Sequence, residues 1–400
     1  MPEGVSRVFY CILAIWYGNC SCTRAFLVVE WGHMNLAATP RAWVEVELDA
    51  IAHNLRIASR AAAGARLMPI VKANAYGHGL EAVARRLDAE GIAFFGVANV
   101  GEARRLEQAG VRTRPFVLGP TLPEEREEIL LHGWGCTIST LAEAQHCQSL
   151  AEAHGREFPV HMALDTGMGR EGFLPGQLGA AVDALRQLPM VRVEGAMSHY
   201  SAADEMPDFT REQLRVFAEC TAHLRQCFPL QYCHIAASAG ELGYSIPPAD
   251  LVRPGIVIYG VSPIHTPAAA ELRRALRLMS RVVLVRELPA GHSVSYGRTY
   301  TTTRPTRVAT IGIGYADGWP RHLSGSGATV CIRGQLCPIL GRVTMDLLMA
   351  DVSAVPAAAV GDEVELIGSH QPVEQVAAWA GTIPWEIFTG LGVRLPRIYR

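Results

Sequence analysis

The sequence lacks any long run of charged residues of one sign. Its 36 lysines and arginines nearly balance 38 aspartates and glutamates, so the formal net charge is −2. Nucleic acids and anionic membrane surfaces bind clusters of basic residues, and a balanced chain without such clusters gives them little to bind. We therefore predict neither a nucleic acid nor a membrane as a partner.

A Cys-x-x-Cys pair is also missing. The ten cysteines are scattered along the chain, and several fall within apolar segments. Structural zinc sites and secreted disulfide frameworks depend on closely spaced or paired cysteines, so neither is indicated. The pattern predicts reduced, structural thiols, no metal site and a cytoplasmic location.

The apolar run at residues 8–17 is too short for a membrane span, which takes about 20 residues. The preceding MPEGVSR is not clearly basic and no small-residue cleavage site follows, so the features of an export signal are weak. The globular pattern begins at Arg41. We interpret residues 1–40 as an extension, either disordered or translated from upstream of a true start at Met34, and keep an export signal as the alternative.

What the sequence does contain is an alternation of short apolar runs with longer amphipathic ones. Its hydrophobic content of 49% and charged content of 18% are typical of a folded chain. Eight strand-like runs lie at residues 67–71, 94–98, 115–118, 136–139, 159–164, 191–197, 232–236 and 256–259, with helix-like segments between them. This pattern predicts an α/β fold with a (β/α)8 TIM-like barrel. An open doubly wound sheet is the alternative.

The pattern changes after residue 275. Runs rich in β-branched residues, such as 307–313 and 363–367, alternate with turns that contain glycine. Such a pattern predicts a mostly β C-terminal domain over residues 276–400. The barrel, together with a leading strand near residues 41–50, is assigned to residues 41–275.

Lys72 ends the first predicted barrel strand, directly after the apolar run LMPIV. Apolar surroundings disfavour the charged form of an amine, which lowers its pKa and makes it a usable base or nucleophile. A lysine at a strand end is more often simply exposed. The small residues and glycines that follow, ANAYGHG, favour the functional interpretation.

Other polar residues also follow predicted strands, at the end of a barrel where reactive groups gather. Residues 165–170 (DTGMGR) follow the fifth strand, His199 follows the sixth, and Ser238 follows the seventh. Arg253 does not fit, because it precedes the predicted eighth strand at 256–259. His199 alone is more often a structural histidine, so the signal lies in the full set.

Seven motifs stand in one order along residues 41–400: VKANAYGHG at 71–79, DTGMGR at 165–170, SHYSAADE at 198–205, RPGI at 253–256, VSYGRTY at 294–300, GIGYADGW at 312–319 and GRVTMD at 341–346. In content, order and approximate spacing the chain resembles the alanine racemase family. The resemblance covers nearly all of the globular part.

The resemblance implies an enzyme that interconverts L- and D-alanine with pyridoxal 5'-phosphate as cofactor, supplying D-alanine for peptidoglycan. It implies that Lys72 carries the cofactor covalently and that Arg253 faces the cofactor's pyridine nitrogen. The residues implied to surround the phosphate are Tyr76, Ser238, Gly255 and Ile256.

Racemisation needs a proton donor on each face of one carbon. The resemblance assigns Lys72 to one face and Tyr296, contributed by the partner subunit of a homodimer, to the other. A phenol has an ordinary pKa near about 10 and needs tuning to act as a base. His199 and Arg253 are implied to supply that tuning. The implied substrate-binding residues are Arg170, the backbone of Met345, and Tyr315.

The chain departs from the family pattern at four positions. Thr344 stands where a cysteine is common and Ala237 where an asparagine is common, and the other two positions concern the site more directly. Ala163 stands where a lysine, carbamylated in some members, is frequent, so Arg170 lacks that anionic neighbour and an ion or another side chain has to orient it. Val393 stands where a tyrosine often touches the phosphate. These changes affect expectations about cofactor affinity and substrate scope, not about the class of reaction.

Three other functions stay open at this point. A broad-specificity or serine racemase of the same fold differs only in pocket width, which the sequence does not reveal. A decarboxylase on this barrel would pair the pyridine nitrogen with a carboxylate, whereas the sequence offers Arg253. A non-catalytic pyridoxal phosphate carrier protein would need no second base and no β domain bearing Tyr296.

Overall fold

The protein is described here by a computed structural model that covers residues 40–244 and 250–400. The predicted extension, apart from Pro40, lies outside the described residues. The strands in chain order are β1 (Ala42–Val46), β2 (Arg66–Leu67), β3 (Phe95–Val97), β4 (Pro115–Val117), β5 (Gly135–Ile138), β6 (Phe158–Ala163), β7 (Val191–Met197), β8 (Tyr232–His234), β9 (Leu251–Val252), β10 (Leu276–Leu288), β11 (Ser293–Val294), β12 (Tyr300–Thr301), β13 (Thr306–Ile311), β14 (Thr329–Ile332), β15 (Gln335–Pro338), β16 (Leu348–Asp351), β17 (Glu363–Ile367) and β18 (Arg397–Tyr399).

Strands β2 to β9 form a closed parallel barrel. Strands β3 to β8 pair in sequence order, and β2 pairs in parallel with β9. Single-residue bridges from Ile70 to Gly96 and from Ala237 to Arg253 join these two groups into a ring. The predicted (β/α)8 barrel is therefore confirmed, and the open doubly wound sheet is wrong.

Helices connect the barrel strands, and two further helices follow β17 in the second sheet. The helices before β10 span Leu48–Ala61, Leu80–Leu87, Val100–Gln108, Pro123–His132, Leu141–His154, Leu178–Leu185, Pro207–Cys227, Ser238–Gly243 and Pro267–Ala270, and the two after β17 span Val373–Ala380 and Pro384–Thr389. The helix Leu141–His154 shows how the sequence sets such bounds. Thr140 and Glu143 form a reciprocal capping box at its start, and Gly155 ends it in the left-handed conformation.

The predicted eighth strand at residues 256–259 is wrong. These four residues, IVIY, form a 3-10 turn, and β9 at Leu251–Val252 is the eighth strand. The side chains of the turn are completely buried. A short apolar run that is buried on every side has no periodicity by which strand and helix can be distinguished. Arg253 therefore comes directly after the eighth strand, β9. Like the other polar residues of the site, it lies at the C-terminal end of a barrel strand.

A second, antiparallel sheet is centred on the 13-residue strand β10, which pairs with β1, β13 and β17. The leading strand β1 therefore joins this sheet, and β18 pairs with it in parallel. Glu45 on β1 is buried and accepts hydrogen bonds from Arg277 and Arg400, each at 2.9 Å. The mostly β character of residues 276–400 is confirmed, whereas the assigned domain boundaries stay predictions.

Most of the interior is one large cluster of buried apolar side chains that includes barrel residues such as Phe95 and sheet residues such as Leu278. A second, small cluster lies in the β domain and contains Leu288, Val294, Val308 and Leu340. The seven cysteines within the described residues are all free, and most are buried. Among the helices of residues 40–244 and 250–400, none combines the length and the apolar character that a bilayer crossing requires.

Candidate active site

A cavity of about 610 Å³ opens where the barrel strands end. Its lining contains eight of the eleven predicted site residues: Lys72, Tyr76, Arg170, His199, Ser238, Arg253, Gly255 and Ile256. They come from strand ends that are far apart in sequence. Because all strands of a parallel barrel point the same way, the residues after them meet at one mouth.

Lys72 enters the cavity from a backbone turn of unusual conformation. The four residues after it, Ala73 to Tyr76, all have left-handed φ angles between 49° and 56°. For non-glycine residues this conformation costs about 1–2 kcal/mol each. Compensating hydrogen bonds run from the Ala73 amide to Glu102 at 2.7 Å and from the Leu80 amide to the Asn74 side chain at 3.1 Å. Such strain is typical of segments that hold a functional group in place.

The Lys72 amine has a lowered pKa. Burial is the largest cause, and the positive charges of Arg170 and Arg253 add to it. The amine therefore gives up its proton more readily than an exposed lysine does. Lys72 is also the only lysine in the 400-residue sequence, a compositional signal that points to this residue independently of any motif.

Uncharged donors line the wall of the cavity near Lys72. The Ser238 hydroxyl oxygen accepts hydrogen bonds from the Gly255 amide at 3.0 Å and the Val257 amide at 3.4 Å, which leaves its own proton for another acceptor. A Cβ atom at position 255 would lie 3.0 Å from the Tyr76 hydroxyl oxygen, a tight contact, so glycine lets the backbone approach this hydroxyl closely. Burial raises the pKa of the Tyr76 phenol, which stays a donor. The group forms a cradle suited to a phosphate.

Arg253 is buried at the base of the cavity and is fixed by five hydrogen bonds. It donates to the carbonyl oxygens of Ser198, His234 and Ile235, at 2.6, 2.9 and 3.1 Å. It also contacts ring nitrogens of His234 at 2.5 Å and His199 at 3.0 Å. Burial lowers the pKa of Arg253 to about 10, so the guanidinium keeps its charge near neutral pH.

The permanent charge on Arg253 determines the protonation of its histidine neighbours. Because arginine only donates, Nδ1 of His199 and Nδ1 of His234 accept, and each neutral ring carries its proton on Nε2. Burial lowers the pKa of His199 to about 3, with Arg253 as the next cause, and lowers the pKa of His234 well below its ordinary value. His199 therefore presents a donor N–H, away from Arg253.

Two buried histidines of this network were not identified from the sequence. Nε2 of His234 donates to Nδ1 of His161 at 2.8 Å, inside the barrel. Nε2 of His161 lies 3.7 Å from Glu194, whose carboxylate accepts from Arg114 at 3.0 Å. Both histidines sit within apolar strands, where a histidine by itself gives no signal of function. Their strand positions in a closed barrel bring them together.

Arg170 lies on a loop whose shape explains the DTGMGR motif. The Asp165 carboxylate accepts hydrogen bonds from the amides of Gly167 and Met168, at 2.9 and 3.0 Å, and so folds the loop. Gly167 has a φ of 134°, which favours glycine. Arg170 contacts the neighbouring carboxylate of Glu171 at 3.1 Å. Ala163, buried in β6, supplies no charge here.

The three remaining predicted residues do not reach the cavity of their own chain. Tyr296, Tyr315 and Met345 are 70%, 41% and 53% exposed. Their loops are in contact: the Ala316 amide donates to the Met345 carbonyl oxygen at 2.9 Å, and Ser295 donates to the Arg342 carbonyl oxygen at 2.6 Å. Together these residues form one exposed surface on the β domain. Val393 is 97% exposed, so it adds nothing to the phosphate cradle.

Comparison with known proteins agrees with this geometry. The family model described as "Alanine racemase, N-terminal domain" matches residues 46–263, and the one described as "Alanine racemase, C-terminal domain" matches residues 275–399. The chain belongs to the alanine racemase family. The family resemblance predicted from the seven motifs is thereby confirmed.

Relatives in this family are similar over almost their whole length. The alanine racemase of Methylacidiphilum infernorum is 36% identical over 368 residues, which is 91% of this chain and 94% of that protein. The alanine racemase of Symbiobacterium thermophilum is 39% identical over 373 residues, covering 92% of this chain and 99% of that protein.

Solved structures of the family share the same fold. The alanine racemase of D-cycloserine producing Streptomyces lavendulae superposes with a TM-score of 0.85 at 36% identity, covering 91% of this chain and 98% of that one. The alanine racemase of Bartonella henselae, solved with covalently bound pyridoxal phosphate, superposes with a TM-score of 0.82 at 32% identity, covering 90% of this chain and all of that one.

Proposed function

We propose that this enzyme is a pyridoxal phosphate-dependent alanine racemase, which interconverts L- and D-alanine. One observation carries the proposal: the sole lysine of the chain, with a lowered pKa, shares a cavity with an uncharged phosphate cradle and with Arg253. Membership in the alanine racemase family supports the assignment.

The residues of the cavity fit pyridoxal phosphate. Lys72 would hold the cofactor covalently, while Tyr76, Ser238 and the backbone at Gly255 and Ile256 would bind its phosphate. When bound, the cofactor draws electrons away from the α-carbon and acidifies its proton. Arg253 would hydrogen-bond the ring nitrogen without protonating it, because a guanidinium releases its proton only at high pH.

We propose that two bases act on opposite faces of the α-carbon. The Lys72 amine takes or returns the proton on one face, and the phenol oxygen of Tyr296 of the partner subunit does so on the other. Two features support this homodimeric arrangement: Tyr296 is exposed and lies outside its own cavity, and His199 presents an N–H that can bond the phenol oxygen. That bond would stabilise the phenolate.

The substrate's position follows from the same arrangement. Arg170 would bind the carboxylate of alanine with charged hydrogen bonds. The two exposed loops that carry Tyr315 and Met345 would cover the cavity of the partner subunit, with the Met345 backbone at the carboxylate and Tyr315 at the entrance. We further propose that the product serves the cytoplasmic supply of D-alanine for peptidoglycan.

A racemisation assay over a panel of pure L-amino acids, with cofactor added and omitted, tests the proposal. We expect L-alanine to be converted fastest, and only with cofactor. Equal rates on serine and larger amino acids would instead favour a broad-specificity racemase. Cofactor binding without conversion of any amino acid would favour a carrier protein and would refute the proposed function.

A further inference from the structure

Glu171 places a buried carboxylate in a cavity whose lining also contains three cationic side chains. Its side chain is only 6% exposed and lines the cavity beside Arg170. Of the described lining residues, two carry a carboxylate, and the other, Asp204, is exposed to solvent. Lys72, Arg170 and Arg253 supply the cations. Of these three cations, Arg170 is the one in direct contact with Glu171.

The two oxygens of Glu171 have different environments. Oε1 accepts from Nη2 of Arg170 at 3.1 Å and from Nε at 3.3 Å. Oε2 is buried and has no hydrogen-bond partner among residues 40–244 and 250–400. Leaving a buried carboxylate oxygen unpaired destabilises the fold, so a purely structural role explains Glu171 poorly. Its one strong contact is with Arg170.

The contact uses one edge of the Arg170 guanidinium. Nε and one hydrogen of Nη2 point to Glu171, which leaves Nη1 and the other hydrogen of Nη2 for another acceptor. The Arg170 side chain is half-exposed, and without a partner it would sample several rotamers. A fixed anion on one edge orients the opposite edge toward the cavity.

We propose that Glu171 is a positioning residue that orients Arg170 to bind the carboxylate of the substrate. It supplies the anion that the alanine at position 163 does not. This inference rests on the proposed function of Arg170. The Glu171 charge also repels a substrate carboxylate, but that repulsion acts across the guanidinium and falls with distance. The contact at 3.1 Å fixes Arg170 before the substrate binds, so less rotamer freedom is lost on binding, and the gain in affinity comes from this pre-organisation.

The test measures the binding of propionate, the carbon skeleton of alanine without its amine, to the cofactor-loaded enzyme by calorimetry. Glu171→Ala is expected to weaken binding about tenfold, since Arg170 is then no longer held in place and loses its rotamer freedom only when propionate binds. Glu171→Gln keeps an acceptor without the charge and is expected to weaken binding about threefold. Glu124→Ala, at an exposed helix position, is the control and should leave binding unchanged.

In the same variants the KM for alanine should rise in parallel with the loss of propionate affinity, while kcat changes by less than about twofold. The contact between Arg170 and the substrate carboxylate is the same in the ground state and the transition state, so weakening it does not slow proton transfer. An unchanged or tighter affinity of Glu171→Ala for propionate would overturn the inference. If Glu171→Ala does not fold, Glu171→Gln decides, and an unchanged affinity again overturns it. The two proposals can also fail separately. If the wild type, Glu171→Gln and Glu171→Ala bind propionate in that order of decreasing affinity but the wild type has no racemase activity, the proposed function is refuted and the role of Glu171 stands.

Discussion

Arg253 contacts Nδ1 of His234 at 2.5 Å, and both side chains are buried inside the barrel. A charged guanidinium next to a neutral imidazole defines which nitrogen carries each proton. Since Nε2 of His234 carries the proton, it donates to Nδ1 of His161. Arg253 likewise donates to Nδ1 of His199, so the proton of His199 lies on Nε2. The hydrogen that His199 directs away from Arg253 is thus a consequence of the charge on one arginine.

Replacing His234 with leucine removes the ring nitrogen that accepts from Arg253. We expect the free energy of unfolding to fall by about 1–3 kcal/mol, because a buried charged donor loses a partner. Urea unfolding followed by circular dichroism measures the change. His223→Leu, at an exposed position of the helix Pro207–Cys227, is the matched control. Equal midpoints for the His234 variant and the wild type would contradict this role of the contact.

The stability of the protein should fall at mildly acidic pH. The pKa of His78 is lowered to about 4, mainly by burial, and that of His199 to about 3, whereas an unfolded histidine titrates near about 6.5. Below that value the unfolded chain binds more protons than the folded one. As the pH falls below about 6.5, each such histidine should lower the free energy of unfolding by up to about 1.4 kcal/mol per pH unit. Above a pH of about 7 it should have no effect.

Urea unfolding at about pH 7 and about pH 5 measures this dependence, which is a general consequence of burying neutral histidines. His78→Phe keeps an aromatic ring against Tyr259 and Phe388. In this variant the free energy of unfolding should fall less between about pH 7 and about pH 5 than in the wild type. The same loss in the variant and the wild type would show that His78 does not contribute.

Lys72→Ala should abolish covalent attachment of the cofactor and the visible absorption that goes with it. Lys72→Arg keeps the charge but not the nucleophile, so it should fail equally. Borohydride reduction followed by mass spectrometry offers an unambiguous readout, because the sequence contains no other lysine side chain. Methylamine should partly restore activity to Lys72→Ala but not to Lys72→Arg, where the cavity stays filled. Attachment that persists in Lys72→Ala would refute the role of this residue.

Tyr296→Phe should lose at least about 100-fold in racemase activity, the usual minimum for a removed general acid or base, and still bind cofactor. Tyr300→Phe, in the same β11–β12 hairpin, is the control.

If two subunits share each site, then co-expressing Lys72→Ala with Tyr296→Phe should recover about a quarter of wild-type activity. Half of the random dimers then contain one of each variant, and each such dimer has one intact site of two. No recovery in purified mixed dimers would place both bases in one chain.

The chemistry of this protein could be recognised in its sequence because its motifs are local. A strand followed by KANAYGHG specifies a lysine at a strand end and small residues around it, and the family motifs extend this to the residues that we propose bind cofactor and substrate. The eighth strand could not be placed, because the IVIY run is buried on every side and has no period to interpret.

Contacts between distant segments were decided only by the tertiary structure. The sequence by itself determined the barrel, the β domain and Lys72, since period, turn residues and motifs are properties of neighbouring residues. It did not determine that His161 and His234 extend the Arg253 network, or that Glu171 holds Arg170. Those relations depend on strand order around a closed ring and on the shape of one loop. Inside the barrel, where water is excluded, the charge on Arg253 acts strongly on its histidine neighbours.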